Sequence, residues 1–485
     1  HPENLIDSLM NGDESLSYPE NRRNLRISKV EASIVRKIVG ISGQQDKNKD
    51  DVRKTARISG QKRERPLNMD SKEYIRTLTA EAVGLLKEMV AIPSPSFSED
   101  AVCEHISGWM NERGLEHERI GNNIIAEHIT DPSKPVLMLC AHMDTVSASE
   151  GYEFDPYSPD YNTAAETIGR ITGREVKSGE IVAGLGSNDD GASVVAMLAA
   201  FRYVSGRSSS CKNNPSHTFG AGPSPCGQGG STVSCTASPA AVNLVLVLTC
   251  EEERSGINGM TGLWSTRVCS RKNATEGCMP VDLAIVGEPT GMKAATAERG
   301  LLVIDATAHG VSGHAARNEG ENALYIALED IEKLRNHEFC RISPRMGKVN
   351  LNVTQIKAGT AHNVIPDRCD FVIDIRPTEQ YTNEEILKEL ESICRSEFKP
   401  RNLTNRSSAT FTDSPLQKTT EALGIETFSS PTTSDWMRIG CDAIKMGPGE
   451  SSRSHRPNEF VYTDEIQHAI NTYIAFIEYL YNGQM

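Results

Sequence analysis

Four almost continuous apolar runs, each leading into a histidine or a carboxylate, constrain the fold of this chain more than any other feature. Runs that are apolar along their whole length are typical of parallel strands covered on both faces. In open α/β sheets, ligands gather outside the carboxyl ends of such strands. The sequence therefore predicts an α/β fold with a polar site at one sheet edge. The runs are "VLMLCAH" ending at His142, "VNLVLVLTC" before Glu251–Glu253, "DLAIVG" before Glu288, and "AIKMG" before the loop that contains His455.

The residue types at these strand ends suit a hydrolytic metal centre. His142 and Asp144 are two residues apart and therefore share a face where their strand ends. A further acid lies in the Gly-rich turn "GLGSNDDGAS", which leads into a helix. Histidines and acids without cysteine suit two zinc ions that share a carboxylate and keep a position open for water. A second glutamate beside a ligand glutamate, as in Glu251–Glu253, is suitably placed to act as a general base.

The alternative interpretation of each of these acids is a solvated charge in a loop, without a function in a metal site. It explains any single acid well, but five independent acidic or histidine endings on one rim are hard to explain that way. The metal-centre hypothesis is therefore preferred.

The chain of 485 residues is long for one core, so two domains with appendages are expected. A strand–helix–strand–strand–helix order predicts a small α+β domain of the ferredoxin-like type, inserted into the larger α/β domain. A polar N-terminal extension without an apolar segment is expected to be disordered, and a Ser/Gly/Pro-rich stretch is expected to be a low-complexity insertion. The predicted boundaries are 1–69 for the extension, 70–299 and 413–485 for the larger domain, 205–240 for the insertion, 160–180 for a shorter polar insertion, and 300–412 for the α+β domain.

Charge and hydropathy argue against several classes of partner, and the cysteine content indicates the compartment. The formal net charge of −14, without a long block of like charge, argues against nucleic acids and anionic membranes as partners. With no run of about 18 apolar residues, no transmembrane helix is expected. The twelve cysteines include no CxxC pair, and no secretory signal is present, so we expect free thiols in a reducing, cytoplasmic compartment.

Six motifs, taken in order, resemble the M20 family of metallopeptidases and deacylases, most closely its acetylornithine deacetylase subgroup. The resemblance implies a zinc-hydrolase catalytic domain, an inserted lid that forms a homodimer, and two Zn²⁺ per subunit, with Co²⁺ as a substitute. It further implies removal of an N-acyl group from a small amino acid, N-acetylornithine in arginine biosynthesis. The motifs are "AHMDTV", "GLGSNDDGAS", "TCEEERSG", "VGEPTG", "SGHAARNEG" and "GPGESSRSH".

The resemblance also implies a role for each matched residue. Asp189 would be shared by both ions, and its neighbour Asp190 would not be a ligand. Asp144 would orient the imidazole behind the first ion, and Glu252 would be the general base. The implied ligands are His142, Asp189 and Glu288 for the first ion, and Asp189, Glu253 and His455 for the second.

One register ambiguity remains in this assignment. Glu251 stands where the family usually has aspartate, so Glu251 and Glu252 could form the functional pair instead of Glu252 and Glu253.

Four further residues are candidates for substrate contacts. By resemblance, His314 and Asn363 of the lid reach an active site, often that of the partner subunit, where they stabilise the oxyanion. Arg376 either binds a substrate carboxylate or pairs with Asp374 or Glu379. Ser434, in a hydroxyl-rich loop, is predicted to contact the α-carboxylate.

Three rival functions stay open. The first is desuccinylation of diaminopimelate, ornithine or citrulline derivatives, which extra Arg or Lys residues facing the acyl group would favour. The second is a dipeptidase or carboxypeptidase of the same fold. The third is a non-catalytic binding protein, which the complete set of predicted ligands argues against.

Overall fold

The computed structural model describes residues 71–211, 243–317 and 319–483. The predicted N-terminal extension and most of the predicted low-complexity insertion lie outside these residues. Within the described ranges, no helix combines the length and the apolar character needed to cross a membrane.

The strands of the described chain come singly or in runs between the α-helices. The strands are β1 Glu118–Ile120, β2 Asn123–His128, β3 Leu137–His142, β4 Ile181–Ala183, β5 Leu244–Thr249, β6 Val268–Ser270, β7 Met279–Val281, β8 Leu283–Val286, β9 Ala294–Glu298, β10 Leu302–His309, β11 Gly313–His314, β12 Asn350–Ala358, β13 Val364–Ile365, β14 Arg368–Arg376, β15 Glu397–Pro400, β16 Ser408–Ala409, β17 Thr427–Ser430, β18 Asp442–Lys445 and β19 Phe460–Tyr462. The α-helices are α1 Ser71–Val90, α2 Asp100–Glu112, α3 Tyr161–Thr172, α4 Gly191–Cys211, α5 Met260–Leu263, α6 Ala323–Asn336, α7 Asn383–Glu391, α8 Pro415–Ala422 and α9 Thr463–Gly483.

The larger domain is built on a mixed sheet with a parallel centre. Its strand order is β1-β2-β5-β3-β8-β18-β9-β16, and β17 also pairs with β9. The neighbours β5, β3, β8 and β18 run parallel, while β1, β2 and β16 join antiparallel at the edges. The predicted α/β fold with a mostly parallel central sheet, flanked by helices, is confirmed.

The central parallel strands are buried on both of their faces. On β3, Leu139 packs into the core that α1, α2, α4 and α9 cover. Its neighbours Met138 and Cys140 point to the other face, where they join the core around Trp436 and Ile439. A strand between two such cores must be apolar at every position, which explains the unbroken runs of the sequence.

The inserted domain is an antiparallel sheet of order β12-β14-β10-β15, covered by α6 and α7. Burial alternates along β10, with every second residue facing the helices, because one face of the sheet is packed and the other is open. The predicted α+β architecture is present here, completed by β15, a closing strand that the pattern analysis did not include.

The predicted polar insertion over 160–180 contains a helix in its first half. Residues Tyr161–Thr172 form helix α3, which the Asp160 side chain caps by accepting a hydrogen bond from the backbone N–H of Thr163. Its small buried face, Ala164, Ala165 and Ile168, packs in a satellite core with β4 and β19. The sequence analysis did not identify this helix, because polar residues surround its few apolar positions.

Candidate metal centre

The strand order brings the four predicted polar endings to one edge of the sheet. Because β5, β3, β8 and β18 are adjacent and parallel, their carboxyl ends lie side by side. Ligand atoms that lie within 4.8 Å of one another form two overlapping groups. The groups are His142, Glu252 and Glu288, and His142, Asp189 and Glu253.

Asp189 lies between the two histidines of the site. Its Oδ1 is 3.3 Å from Nε2 of His142, and its Oδ2 is 3.6 Å from Nε2 of His455. His455 is also 3.0 Å from the carboxylate of Glu253. Each oxygen of one carboxylate therefore faces a different imidazole, which is the arrangement that a shared ligand requires.

The Gly-rich turn between β4 and α4 positions Asp189. Gly184 has a φ of +124°, and a Cβ there would lie 2.4 Å from a side-chain carbon of Val90, so the turn needs glycine. The Asp189–Asp190 peptide bond is cis. Asp190 points inward, where it accepts a hydrogen bond from the backbone N–H of His142 at 3.4 Å. Asp190 belongs to neither group of converging ligand atoms.

Asp144 fixes the orientation of His142. The ring Nδ1 lies 3.0 Å from the backbone oxygen of Asp144 and 3.5 Å from its carboxylate. A hydrogen bond donated from Nδ1 leaves Nε2 as the ring atom that faces Asp189. The same carboxylate accepts hydrogen bonds from Ser96 Oγ and from the backbone N–H groups of Glu252 and Glu253.

The backbone also separates the three consecutive glutamates. Glu251 has a φ of +60°, and its carboxylate accepts hydrogen bonds from the backbone N–H and the side-chain amide of Asn258, at 3.0 and 2.7 Å. Glu252 and Glu253 instead belong to the groups of converging ligand atoms. The geometry thus favours the register in which Glu252 and Glu253 are the functional pair.

The converging acids of the site would repel one another if all of them were ionised. Burial raises the pKa of Glu252 and that of Glu288 well above the usual range, and neighbouring carboxylates raise both further. Burial would lower the pKa of His142, but hydrogen bonds to Asp144 and Asp189 outweigh burial and raise it well above its ordinary value. The hydrogen bond to Glu253 raises the pKa of His455 to about 9.

This donor set fits divalent cations. Imidazole nitrogen and carboxylate oxygen are common zinc ligands, and hydrolytic dinuclear sites use a shared carboxylate. Carboxylates that are costly to ionise together are stabilised in their charged form by a bound cation.

The predicted lid residues lie apart from this cluster. His314 and Val364 are paired in the β11–β13 ribbon, and the backbone N–H of Ala315 donates to the carbonyl of Asn363. Both His314 and Asn363 are exposed. Arg376 makes two hydrogen bonds to Asp374, at 2.8 and 3.1 Å, so the pairing that the sequence left open is the one observed.

Ser434 does not face the site, contrary to its predicted contact with the substrate. Its hydroxyl is fully buried and donates to Oε2 of Glu298 at 2.6 Å. Glu298 in turn forms a buried ion pair with Lys445 at 3.2 Å. A serine in a hydroxyl-rich loop resembles a ligand contact in sequence, but here it satisfies a buried carboxylate.

Two acids near the site were missed by the sequence analysis. Asp435 accepts a hydrogen bond from Thr249 Oγ1 at 2.7 Å, and burial raises its pKa to about 6. Glu459 accepts hydrogen bonds from the backbone N–H groups of Asn188 and Asp189. The only available signal was their proximity in sequence to Ser434 and His455, because neither acid ends a central strand.

Known proteins resemble this chain in sequence and fold. Residues 296–402 match the M20 peptidase dimerisation domain. The acetylornithine deacetylase of Myxococcus xanthus is 27% identical over 243 residues, which are 46% of this chain and 61% of that protein. The succinyl-diaminopimelate desuccinylase of Corynebacterium glutamicum is 25% identical over 297 residues, 60% of this chain and 64% of that protein. The chain thus matches less than two thirds of the length of either relative.

A solved structure shows the same architecture. A Bacillus subtilis protein described as a dinuclear metal binding peptidase of the M20 family aligns with a TM-score of 0.55 at 14% identity, over 83% of this chain and 98% of that one. The central sheet and the converging ligand atoms define an α/β protein with a candidate metal centre. The chain has the fold of the M20 structures and a segment that matches the M20 dimerisation domain, so the predicted resemblance to the M20 family is confirmed.

Proposed function

We propose that this chain is a dinuclear metal-dependent hydrolase that removes an N-acyl group from an amino acid, with N-acetylornithine in arginine biosynthesis as the preferred substrate. The observation that carries the proposal is the position of Asp189, with one carboxylate oxygen facing each histidine. The names of the curated relatives support the acyl amino acid as the substrate class.

Each ion has its own set of ligands in this proposal. His142 and Glu288 hold the first ion, Glu253 and His455 hold the second, and Asp189 is shared. Zinc is the proposed metal, two ions per subunit, and cobalt is a substitute because it accepts the same nitrogen and oxygen donors. When bound, the two ions would polarise the amide carbonyl and lower the pKa of the attacking water.

Glu252 is the proposed general base. It takes a proton from the water that attacks the amide carbon, and it later gives this proton to the leaving amine as the C–N bond breaks. Its backbone N–H is fixed by Asp144, while its carboxylate lies with His142 and Glu288.

We propose that the lid forms a homodimer and that His314 and Asn363 act in the active site of the partner subunit. Two observations support the dimer. Tyr325 and Leu328 lie one turn apart on α6 and are 64% and 49% exposed, and β12 is an edge strand whose residues are mostly exposed. Large exposed apolar side chains beside a free strand edge are typical of an interface. A cytoplasmic location is also proposed; the nine cysteines whose side chains the structure describes are free, as such a location would favour.

The activity is tested with a panel of N-acetyl and N-succinyl amino acids and dipeptides, incubated with zinc-loaded or cobalt-loaded protein. Amine release from N-acetylornithine should exceed release from the other substrates. Faster turnover of an N-succinyl substrate would support desuccinylation, for which the desuccinylase relative is the specific observation. Absence of hydrolysis across the panel by metal-loaded protein would contradict the proposal.

A further inference from the structure

Two loops that are far apart in sequence supply the ligands on one side of the metal centre. The loop from Gly184 to Asp190 carries Asp189, and the loop from Gly447 to Glu459 carries His455. His142 ends the central strand β3 and Glu288 lies two residues after β8, whereas these two ligands are separated from the nearest central strands by longer loops. Something other than the sheet must therefore fix their separation.

Glu459 makes the first connection between these loops. Its side chain is 2% exposed, and Oε1 accepts hydrogen bonds from the backbone N–H groups of Asn188, at 2.9 Å, and Asp189, at 3.0 Å. Its backbone oxygen accepts another from the N–H of Gly184. One residue of the His455 loop thus holds both ends of the turn that presents Asp189.

Asn188 makes the reciprocal connection. Its side-chain oxygen accepts a hydrogen bond from the backbone N–H of Glu450 at 3.0 Å. Its amide nitrogen donates to the carbonyl of Glu450 and to Ser454 Oγ, at 3.2 and 3.3 Å. A Cβ at Gly449 would lie 2.3 Å from this amide oxygen, so the two loops approach too closely there for any other residue. We call these reciprocal contacts the Asn188–Glu459 clasp.

The backbone of the His455 loop shows why such a clasp is needed. His455 has a φ of +57° and Asn458 a φ of +63°. Left-handed conformations at residues other than glycine persist only where surrounding contacts enforce them. The clasp attaches to the loop on both sides of His455, at Glu450 and Ser454 before it and at Glu459 after it.

We propose that Glu459 is a positioning residue, which acts through the Asn188–Glu459 clasp to set His455 at the correct distance from Asp189 for the second metal ion. The inference rests on the proposed dinuclear site. The first ion depends less on the clasp, because only Asp189 of its three proposed ligands lies in the two connected loops, while His142 ends β3 and Glu288 lies two residues after β8. Loss of the clasp should therefore weaken the second ion much more than the first.

The test is a titration of metal-free protein with Co²⁺, followed by calorimetry and by visible absorption. Wild-type protein should bind two ions. Glu459→Ala should bind the second ion about 10- to 100-fold more weakly, the usual range for residues that orient metal ligands, and the first within about threefold of wild type. Glu459→Gln should restore the second ion to within about threefold, because its amide oxygen still accepts both backbone hydrogen bonds. Asn188→Ala breaks the other half of the clasp and should reproduce the Glu459→Ala result.

Asp330→Ala is the matched control. The Asp330 carboxylate is also fully buried, and it accepts hydrogen bonds from two consecutive backbone N–H groups, those of Arg395 and Ser396, but in the lid. This variant should bind both ions as wild type does. Circular dichroism verifies that each variant is folded. If Glu459→Ala does not fold, the comparison of Asn188→Ala with Glu459→Gln decides the test.

The outcomes separate the inference from the function on which it rests. If wild-type protein binds two ions and the folded clasp variants bind the second equally tightly, the positioning role is contradicted and the proposed function stands. Equal weakening of both ions also contradicts the selective role. If wild-type protein binds fewer than two ions, the proposed dinuclear function itself is contradicted.

Discussion

The carboxylate of Asp144 accepts a hydrogen bond from the backbone N–H of Glu252 at 3.0 Å, and so connects the end of β3 to the turn after β5. The neighbouring N–H of Glu253 donates to the same carboxylate at 3.1 Å. Asp144 also lies beside the His142 ring. Asp144 therefore positions one proposed ligand of each ion, His142 and Glu253. It also positions the proposed base, Glu252.

Asp144→Ala should weaken both ions, in contrast to the clasp variants. Without the carboxylate, His142 loses a partner that orients its ring, and the backbone of Glu252 and Glu253 loses two hydrogen bonds. We expect a loss of about 10- to 100-fold in affinity for each ion, measured by titration of metal-free protein with Co²⁺. Unchanged affinity for both ions would contradict the orienting role.

Glu252→Gln should keep both ions and lose turnover. Glutamine cannot accept the proton of the attacking water, so kcat should fall about 100- to 10,000-fold, while metal analysis still finds two ions per chain. Glu251→Gln is the matched control, because the Glu251 carboxylate faces Asn258. It should retain most of the activity. The reverse result, an inactive Glu251→Gln and an active Glu252→Gln, would show that the alternative register is correct.

Asp330 should make the stability of the chain depend on pH in the acid range. Burial raises its pKa, but hydrogen bonds from Ser396 and Lys333 outweigh burial and lower it below the ordinary value of 3.8. A lowered pKa in the folded state stabilises the fold above the unfolded pKa, and the stabilisation is lost as pH falls through the folded pKa.

The comparison for this prediction is between wild type and Asp330→Asn in urea unfolding. Wild type should be more stable by about 1.5–3 kcal/mol, the range for hydrogen bonds to a charged group, from pH 7 to about pH 5. The difference should shrink as pH falls below about 4. A difference that does not change with pH would contradict the assigned role of the charge.

Tyr325→Glu combined with Leu328→Glu should prevent dimer formation. Two charges on the exposed face of α6 would have to be desolvated in the interface, which is unfavourable without partners. Sedimentation velocity should show a monomer, and turnover should fall if His314 acts in the partner's active site. Ile171→Glu is the control, since this residue is 53% exposed on α3, outside the lid. A dimer that survives the double substitution would exclude this face of α6 as the interface.

The sequence predicted the parts of the site that are fixed by the central sheet. Runs such as "LVLVLT" are buried at every position of β5, and the strand order then forces their polar endings together. His142 and Glu288 could be found this way because each follows a strand whose burial is visible in the sequence. The lid was visible from its strand–helix–strand–strand–helix order, and its strands β10 and β14 alternate between buried and less buried residues.

The rest depends on contacts that no local pattern records. The choice between Glu251 and Glu252 rests on a φ of +60° at Glu251, and three consecutive glutamates give no sign of it. Ser434 and Glu298 are 136 residues apart in the chain, so their pairing was invisible. Glu459 accepts hydrogen bonds from backbone N–H groups. Every residue except proline has such a group, so the sequence does not indicate which residues Glu459 contacts.

The central claim, that Asp189 is shared by two metal ions, is tested most directly by a crystal structure of zinc-loaded protein with anomalous diffraction at the zinc edge. The account predicts two anomalous peaks about 3.5–4 Å apart, one contacted by His142 and Glu288, the other by Glu253 and His455, with one Asp189 oxygen on each. A single peak, or two peaks that Asp189 does not join, would contradict it.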